Sequence, residues 1–302
     1  MHQYLGRTGC LALNYKFIYF CANFRQNHHP MKNIRLLLIL AVLSAASCSQ
    51  PKSTESISNA VCDQYGVVQR VDTTQKVVYL VFTGHFSTDD NGYFENMDGL
   101  EPVLDTLADR GVKGSFFPTG NCFRVKRYEE AIRRVIADGH YLSAHSNHHL
   151  LLCSEENRDE TLVSADSLAQ DIAGMEAELQ RFGLSKEQFV WMIPPYEYYN
   201  QETADGLRNL GYKLCNPTEG LETSLDWMAE GADNYVSAAQ LVQNIWDYEA
   251  ACPTGLNGCI ILVHAMVYPG RTDADRVYTH LGEIIDTLRE KGYGFGTFAD
   301  LL

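Results

Sequence analysis

The string HSNHH at residues 145–149 sets two imidazoles, His145 and His149, four residues apart. That spacing puts both on one side of a helical turn, an arrangement divalent metals favour. A third ligand, usually a carboxylate, would leave coordination positions open for water and substrate. His148 points differently from its neighbours and reads as exposed or as a supporting residue. Other polar groups collect in the same way, each just after an apolar run. Thr83, Gly84 and His85, then Asp89 and Asp90, follow the first. Pro194, Pro195, Tyr196 and Glu197 follow another; Asp226 and Trp227 lie beyond the next, and His264 follows the last. These residue types hold metals and move protons.

The elements that must position them alternate regularly. Val77–Phe82 is a continuous apolar run, the mark of a strand buried on both faces. Leu100, Val103, Leu104 and Leu107 recur at helical spacing, and Gly111 ends that helix. Further strands are predicted at Val112–Phe117, His140–Ser146, Phe189–Ile193, Tyr212–Cys215, Cys259–Val263 and Tyr293–Phe298. Between them lie helices at Tyr128–Asp138, 161–182, from an Asn200 cap to Leu210, 238–250 and 273–290. Short connections between alternating strands and helices imply a mostly parallel sheet covered by helices, either a barrel or an open doubly wound sheet. In such folds the chemistry sits at the carboxyl ends of the strands, where the polar groups fall. No GxGxxG follows the first strand and no Walker loop is present, which argues against nucleotide chemistry.

The chain has 302 residues, 45% hydrophobic and 21% charged, ordinary values for a globular protein. Five basic residues and no acidic ones precede residue 49, leaving 19 basic against 38 acidic residues in the remainder, a net −19. Such a surface repels phosphate backbones and excludes a nucleic-acid partner. Residues 31–48, MKNIRLLLILAVLSAASC, show the charged, apolar and small-residue order of an export signal, with a run too short to span a bilayer comfortably. Cys48 after small residues resembles a bacterial lipoprotein cleavage site, which implies an exported, membrane-anchored protein. Residues 1–30 read as an extension upstream of the true start at Met31, residues 49–61 as a linker, and residues 62–302 as one domain. Six cysteines follow Cys48 without a CxxC spacing; Cys252 and Cys259 could close a small loop or stand as free thiols.

Over about residues 76–300 the sequence resembles the polysaccharide deacetylase family, carbohydrate esterase family four. GHYLSAHSNHH resembles the family signature GH-[EV]-[IL]-x-x-H-[ST]-x-x-H, with His145 and His149 as metal ligands. VKGSFFPTG, PPYEYYN, SLDW and ILVH resemble four further blocks in the family's order. The resemblance implies a distorted (β/α) barrel of about seven parallel strands. It also implies a divalent metal, zinc foremost with nickel, cobalt or manganese also compatible, and an acetylated glycan as substrate. His264 would protonate the leaving group, Asp226 would orient His264, and Tyr196, Trp227, Pro195 and His85 would contact substrate.

Two departures from the family pattern bear on the chemistry. The family's TFDDG, which supplies a base and a metal ligand at the end of the first strand, is replaced by VFTGH, and an acidic pair appears only in STDDNG. The Arg that pairs with the base in the family is Ile193 here. One expectation is that the loop folds back, so that Asp89 restores the base and Asp90 the metal ligand. A second is that Glu197 supplies the base and His85 a ligand. A third is a barrel that binds glycan without hydrolysing it.

Overall fold

The computed structural model describes residues 57, 59–88 and 94–302. The upstream extension, the signal segment with Cys48, most of the linker, and Asp89 and Asp90 lie outside the described residues. Eleven strands are described: β1 (Val61–Cys62), β2 (Val68–Arg70), β3 (Val77–Gly84), β4 (Ser87–Thr88), β5 (Phe94–Glu95), β6 (Ser115–Pro118), β7 (Tyr141–Leu142), β8 (Trp191–Met192), β9 (Lys213–Leu214), β10 (Ile260–His264) and β11 (Gly294–Gly296). Helices α1 (Leu100–Asp109), α2 (Gly120–Phe123), α3 (Glu129–Ala137), α4 (Ala165–Arg181), α5 (Gln201–Asn209), α6 (Ala238–Ala251) and α7 (Leu281–Glu290) fall between them.

The strands close into a distorted barrel. β3 pairs in parallel with β10, with β6 at its carboxyl end and with β11 at its start. β6 pairs with β7, and β8 with β9, again in parallel. Two gaps remain, and each is bridged. Between β7 and β8 side chains do the work: Trp191 N–H donates to the Tyr141 hydroxyl at 2.9 Å, and Ser143 Oγ to the Phe189 carbonyl at 3.1 Å. Between β9 and β10, β2 inserts through bridges Val68–Cys215 and Arg70–Cys259. The β1–β2 hairpin that supplies this wedge carries no strong alternation and was not foreseen from the sequence.

Side-chain parity decides what faces the barrel axis, because successive strand residues point to opposite faces. Tyr79, Val81, Phe117, Tyr141, Trp191, Ile193, Ile260 and Leu262 form the interior cluster. Phe298 plugs it, with ring centroids 5.2 Å from Trp191 and 5.8 Å from both Tyr79 and Phe117. The opposite parity, including Val78, Leu80, Phe82 and Ile261, packs against the apolar stripes of the helices. Continuing the inward parity past the interior core brings Thr83, Thr119, His145 and His264 to the mouth of the barrel. The fold thus delivers the site from the same alternation that fills its core.

Three predicted elements differ. The strand expected at His140–Ser146 is confined to β7, because Ser146 takes a left-handed conformation with φ 71° and the chain leaves the sheet. The helix expected at 273–290 begins only at Leu281. Arg276 is extended, and the Asp275 carboxylate accepts from Ala238 N–H and the Tyr235 hydroxyl, both at 2.7 Å, instead of lying on a helix surface. Cys252 and Cys259 are free thiols, as are the other four cysteines among the described residues.

Candidate active site

The segment that carries the paired histidines is a braced loop. His145 N–H still donates to the Pro118 carbonyl at 3.2 Å, extending the pairing with β6. Ser146 and His149 then take positive φ of 71° and 57°, so bends and not a helical turn bring the two rings together, with centroids 5.0 Å apart. Two neighbours hold this shape. The buried Asp171 carboxylate, on α4, accepts from Asn147 N–H at 2.8 Å, from His148 N–H at 3.0 Å and from His148 Nδ1 at 2.9 Å. Asn147 is wedged against α2 and α4: a Cβ at Gly120 would lie 2.0 Å from Asn147 Oδ1, and one at Gly174 would lie 2.5 Å from Nδ2. His148 is exposed and pairs with Asp171, as its different direction implied.

His145 Nδ1 donates to the Ile193 carbonyl at 2.7 Å. A carbonyl can only accept, so the tautomer is fixed and Nε2 is left to the site. Burial drives His145 down to about 3, and His149 well below the ordinary imidazole range. His85, from the end of β3, is likewise pushed down by burial to about 4. All three are neutral near pH 7, the state in which imidazole can bind a metal. The His85 ring stacks on His149 at 4.7 Å, its Nδ1 lies 3.0 Å from Thr119 Oγ1, and its backbone N–H donates to Met266 Sδ at 3.2 Å.

Glu197 enters from the turn after β8. Tyr196 and Glu197 both sit at positive φ, 59° and 52°, a conformation that costs non-glycine residues about 1–2 kcal/mol each. That strain sets Glu197 Oε1 3.7 Å from His145 Nε2. Loss of solvation raises the Glu197 carboxyl to about 7; His264 opposes the shift and Asp226 adds to it. Tyr196 is half exposed and stacks on His149 at 4.2 Å, so His149 is sandwiched between Tyr196 and His85. At the tip of β10, His264 Nδ1 is hydrogen-bonded to the buried Asp226 carboxylate.

Thr83, Gly84, His85, His145, His149, His264, Met266 and Tyr268 line one cavity of about 20 Å³, room for a single water. Thr83 Oγ1 is buried there with no hydrogen-bond partner among the described residues. Glu197 adjoins this cavity through His145. Pro195 is buried within its turn, and Trp227, half-buried, is not part of the cavity wall. The neutral imidazoles and nearby carboxylate suit a divalent cation of zinc's borderline character. Among the described residues no three His, Cys, Asp or Glu side chains stand already arranged as a metal cage.

Three contributors escaped the sequence reading. Asp171 falls three residues after buried Leu168 and four before buried Met175, so a carboxylate on the apolar stripe of α4 was its signal. Met266 and Tyr268 follow His264 by two and four residues, and nothing in their types marks them as cavity wall.

The sequence pattern of the polysaccharide deacetylase family matches residues 70–215, the stretch that holds His85, His145, His149 and Glu197. Peptidoglycan-N-acetylmuramic acid deacetylase PdaA of Bacillus subtilis is 26% identical over 84% of this chain and 81% of its own. The chain belongs to the polysaccharide deacetylase family. A chitin deacetylase of Colletotrichum lindemuthianum is 27% identical over 66% of this chain and 73% of its own. The solved structure of PdaA, a family 4 carbohydrate esterase, matches 78% of this chain and 85% of its own with a TM-score of 0.56 at 23% identity. A family pseudoenzyme of Bacillus anthracis, BA3943, matches 78% of this chain and 68% of its own at the same TM-score and 17% identity. These structural likenesses bear on the barrel alone.

Proposed function

We propose that the protein is a metal-dependent hydrolase that removes acetyl groups from a polysaccharide or peptidoglycan-type glycan. The observation that carries this reading is the meeting of His145 Nε2 and Glu197 Oε1 at 3.7 Å, at the same barrel mouth where Asp226 holds His264. Two relatives named for deacetylating N-acetylated glycans support the substrate class.

His145 and His149 would hold the ion, zinc foremost. A divalent cation there supplies Lewis acidity to the acetyl carbonyl and to the attacking water. Glu197 takes the proton from that water. It is the carboxylate next to the imidazoles among the described residues, and the Asp89–Asp90 pair is the competing source of a base and a ligand. Thr83 Oγ1 is placed to orient the water. His264 gives a proton to the departing amine or alkoxide, and Asp226 keeps its Nδ1 side hydrogen-bonded so that Nε2 does the transfer. Tyr196, half exposed on His149, offers the sugar a flat wall. Export and anchoring through Cys48 would place this chemistry outside the cytoplasm, where such glycans lie.

Elemental analysis of protein purified without chelator tests the metal. It should find about one equivalent, lost in a His145→Ala/His149→Ala double variant. Equal metal in both proteins would remove these histidines from the account.

A further inference from the structure

Resting on the metal-hydrolase reading above, we propose that His85 is the third protein ligand, so that the ion is held by His85, His145 and His149 instead of two imidazoles and an aspartate. The first observation is position. The end of β3 is where a third ligand is needed, yet residue 84 can supply no side chain. A Cβ there would meet Met97 Cγ and Sδ at 2.7 and 2.6 Å, inside a buried contact. The next residue along is His85, and its ring lines the same cavity as His145 and His149.

The second observation is spacing. Two imidazoles on one tetrahedral zinc, with Zn–N of about 2.1 Å, hold their ring centroids about 5 Å apart. The His85–His149 and His145–His149 centroids are 4.7 and 5.0 Å apart. Their planes are inclined by 27° and 44°, so coordination asks the rings to turn in place more than it asks the backbone to move.

The third observation is support. Metal-binding histidines almost always have the second ring nitrogen hydrogen-bonded, which fixes the tautomer and the ring's orientation. His145 has the Ile193 carbonyl in that role, and His85 has Thr119 Oγ1 at 3.0 Å from Nδ1. The coordinating atom of His85 would then be Nε2. Three imidazoles leave Glu197 for proton transfer, and they favour zinc, nickel or cobalt over the oxygen-preferring manganese.

The test is zinc competition against a chromophoric chelator, with the visible spectrum of the cobalt-substituted full chain as a second readout. His85→Gln should weaken zinc by roughly a hundred-fold or more, beyond what loss of an outer-shell partner costs, and should alter the cobalt bands. His85→Asp should recover part of the affinity, because it restores a ligand without restoring the ring stack. Asp90→Asn should bind as wild type does. His85→Gln binding zinc as wild type does would overturn this proposal. So would an Asp90→Asn loss as large as that of His149→Ala. If wild type binds zinc through His145 regardless of His85, the hydrolase reading stands and this one falls. A folded wild type that binds no zinc would sink both.

Discussion

Asp226→Asn removes a charge from behind His264 while keeping a side chain of the same shape. In the native site the buried carboxylate is hydrogen-bonded to His264 Nδ1. Hydrogen bonds to charged groups contribute about 1.5–3 kcal/mol. That stabilisation is fully present only when His264 is an imidazolium, as it must be before it protonates a leaving group. At 1.36 kcal/mol per decade, its loss slows that step by roughly 10- to 150-fold. The leaving group decides whether the loss is seen. An amine from an N-acetylated sugar needs the proton, whereas an aryl oxide from 4-nitrophenyl acetate departs without it. The assay is therefore acetate release from an N-acetylated oligosaccharide beside nitrophenol release from the aryl ester, with thermal unfolding as the control for folding. The amide reaction should fall by the stated factor and the ester reaction should change little. Equal losses on both substrates would refute the assignment of His264 as the acid oriented by Asp226.

Replacing Asp171 by Ala leaves the Asn147 and His148 amides without their acceptor, so metal affinity should fall by about 10- to 100-fold in a chelator competition; Asp171→Asn, which keeps one acceptor, should recover part of it. His140 is buried and accepts from Gly114 N–H at 3.1 Å, and burial lowers its pKa to about 4 from the usual 6.5. The folded state therefore binds this proton less readily than the unfolded chain, so the contribution is intact above pH 6.5 and is lost as pH falls toward 4, about 3 kcal/mol in all. Urea unfolding at several pH values should show a shallower decline for His140→Asn than for wild type, and parallel declines would count against it. Labelled fatty acid should enter wild type but not Cys48→Ala; incorporation into both would refute lipid attachment at Cys48, and incorporation into neither would indicate plain secretion.

Much of the site could be read from residue order because the fold is parallel. Apolar runs set the strands, and polar residues just past them could only gather at one end of the barrel, which is how His145, Glu197, Asp226 and His264 came to one mouth. The local geometry was harder to read. The spacing of His145 and His149 suggested a helical turn, but left-handed Ser146 and His149 do the work, stabilised by Asp171 and Asn147 from distant sequence. A loop whose conformation is set by partners more than twenty residues away carries little local signal. The helix start at Leu281 was missed for a similar reason: Asp275 looks like a surface helix residue until Ala238 and Tyr235 claim its carboxylate. His85 was read first as a substrate contact, and only the crowding of Gly84 by Met97 shows why the ligand position moves one residue along β3.

The central claim is metal-dependent deacetylation at the mouth of this barrel. Its most direct test is acetate release by the full chain from a panel of acetylated glycans, including peptidoglycan and chitin oligosaccharides, with and without chelator. The account predicts acetate from at least one glycan, abolished by chelator, restored by zinc, and absent in the His145→Ala/His149→Ala variant. Glycan binding without acetate release, or release that survives both chelator and the double variant, would contradict it.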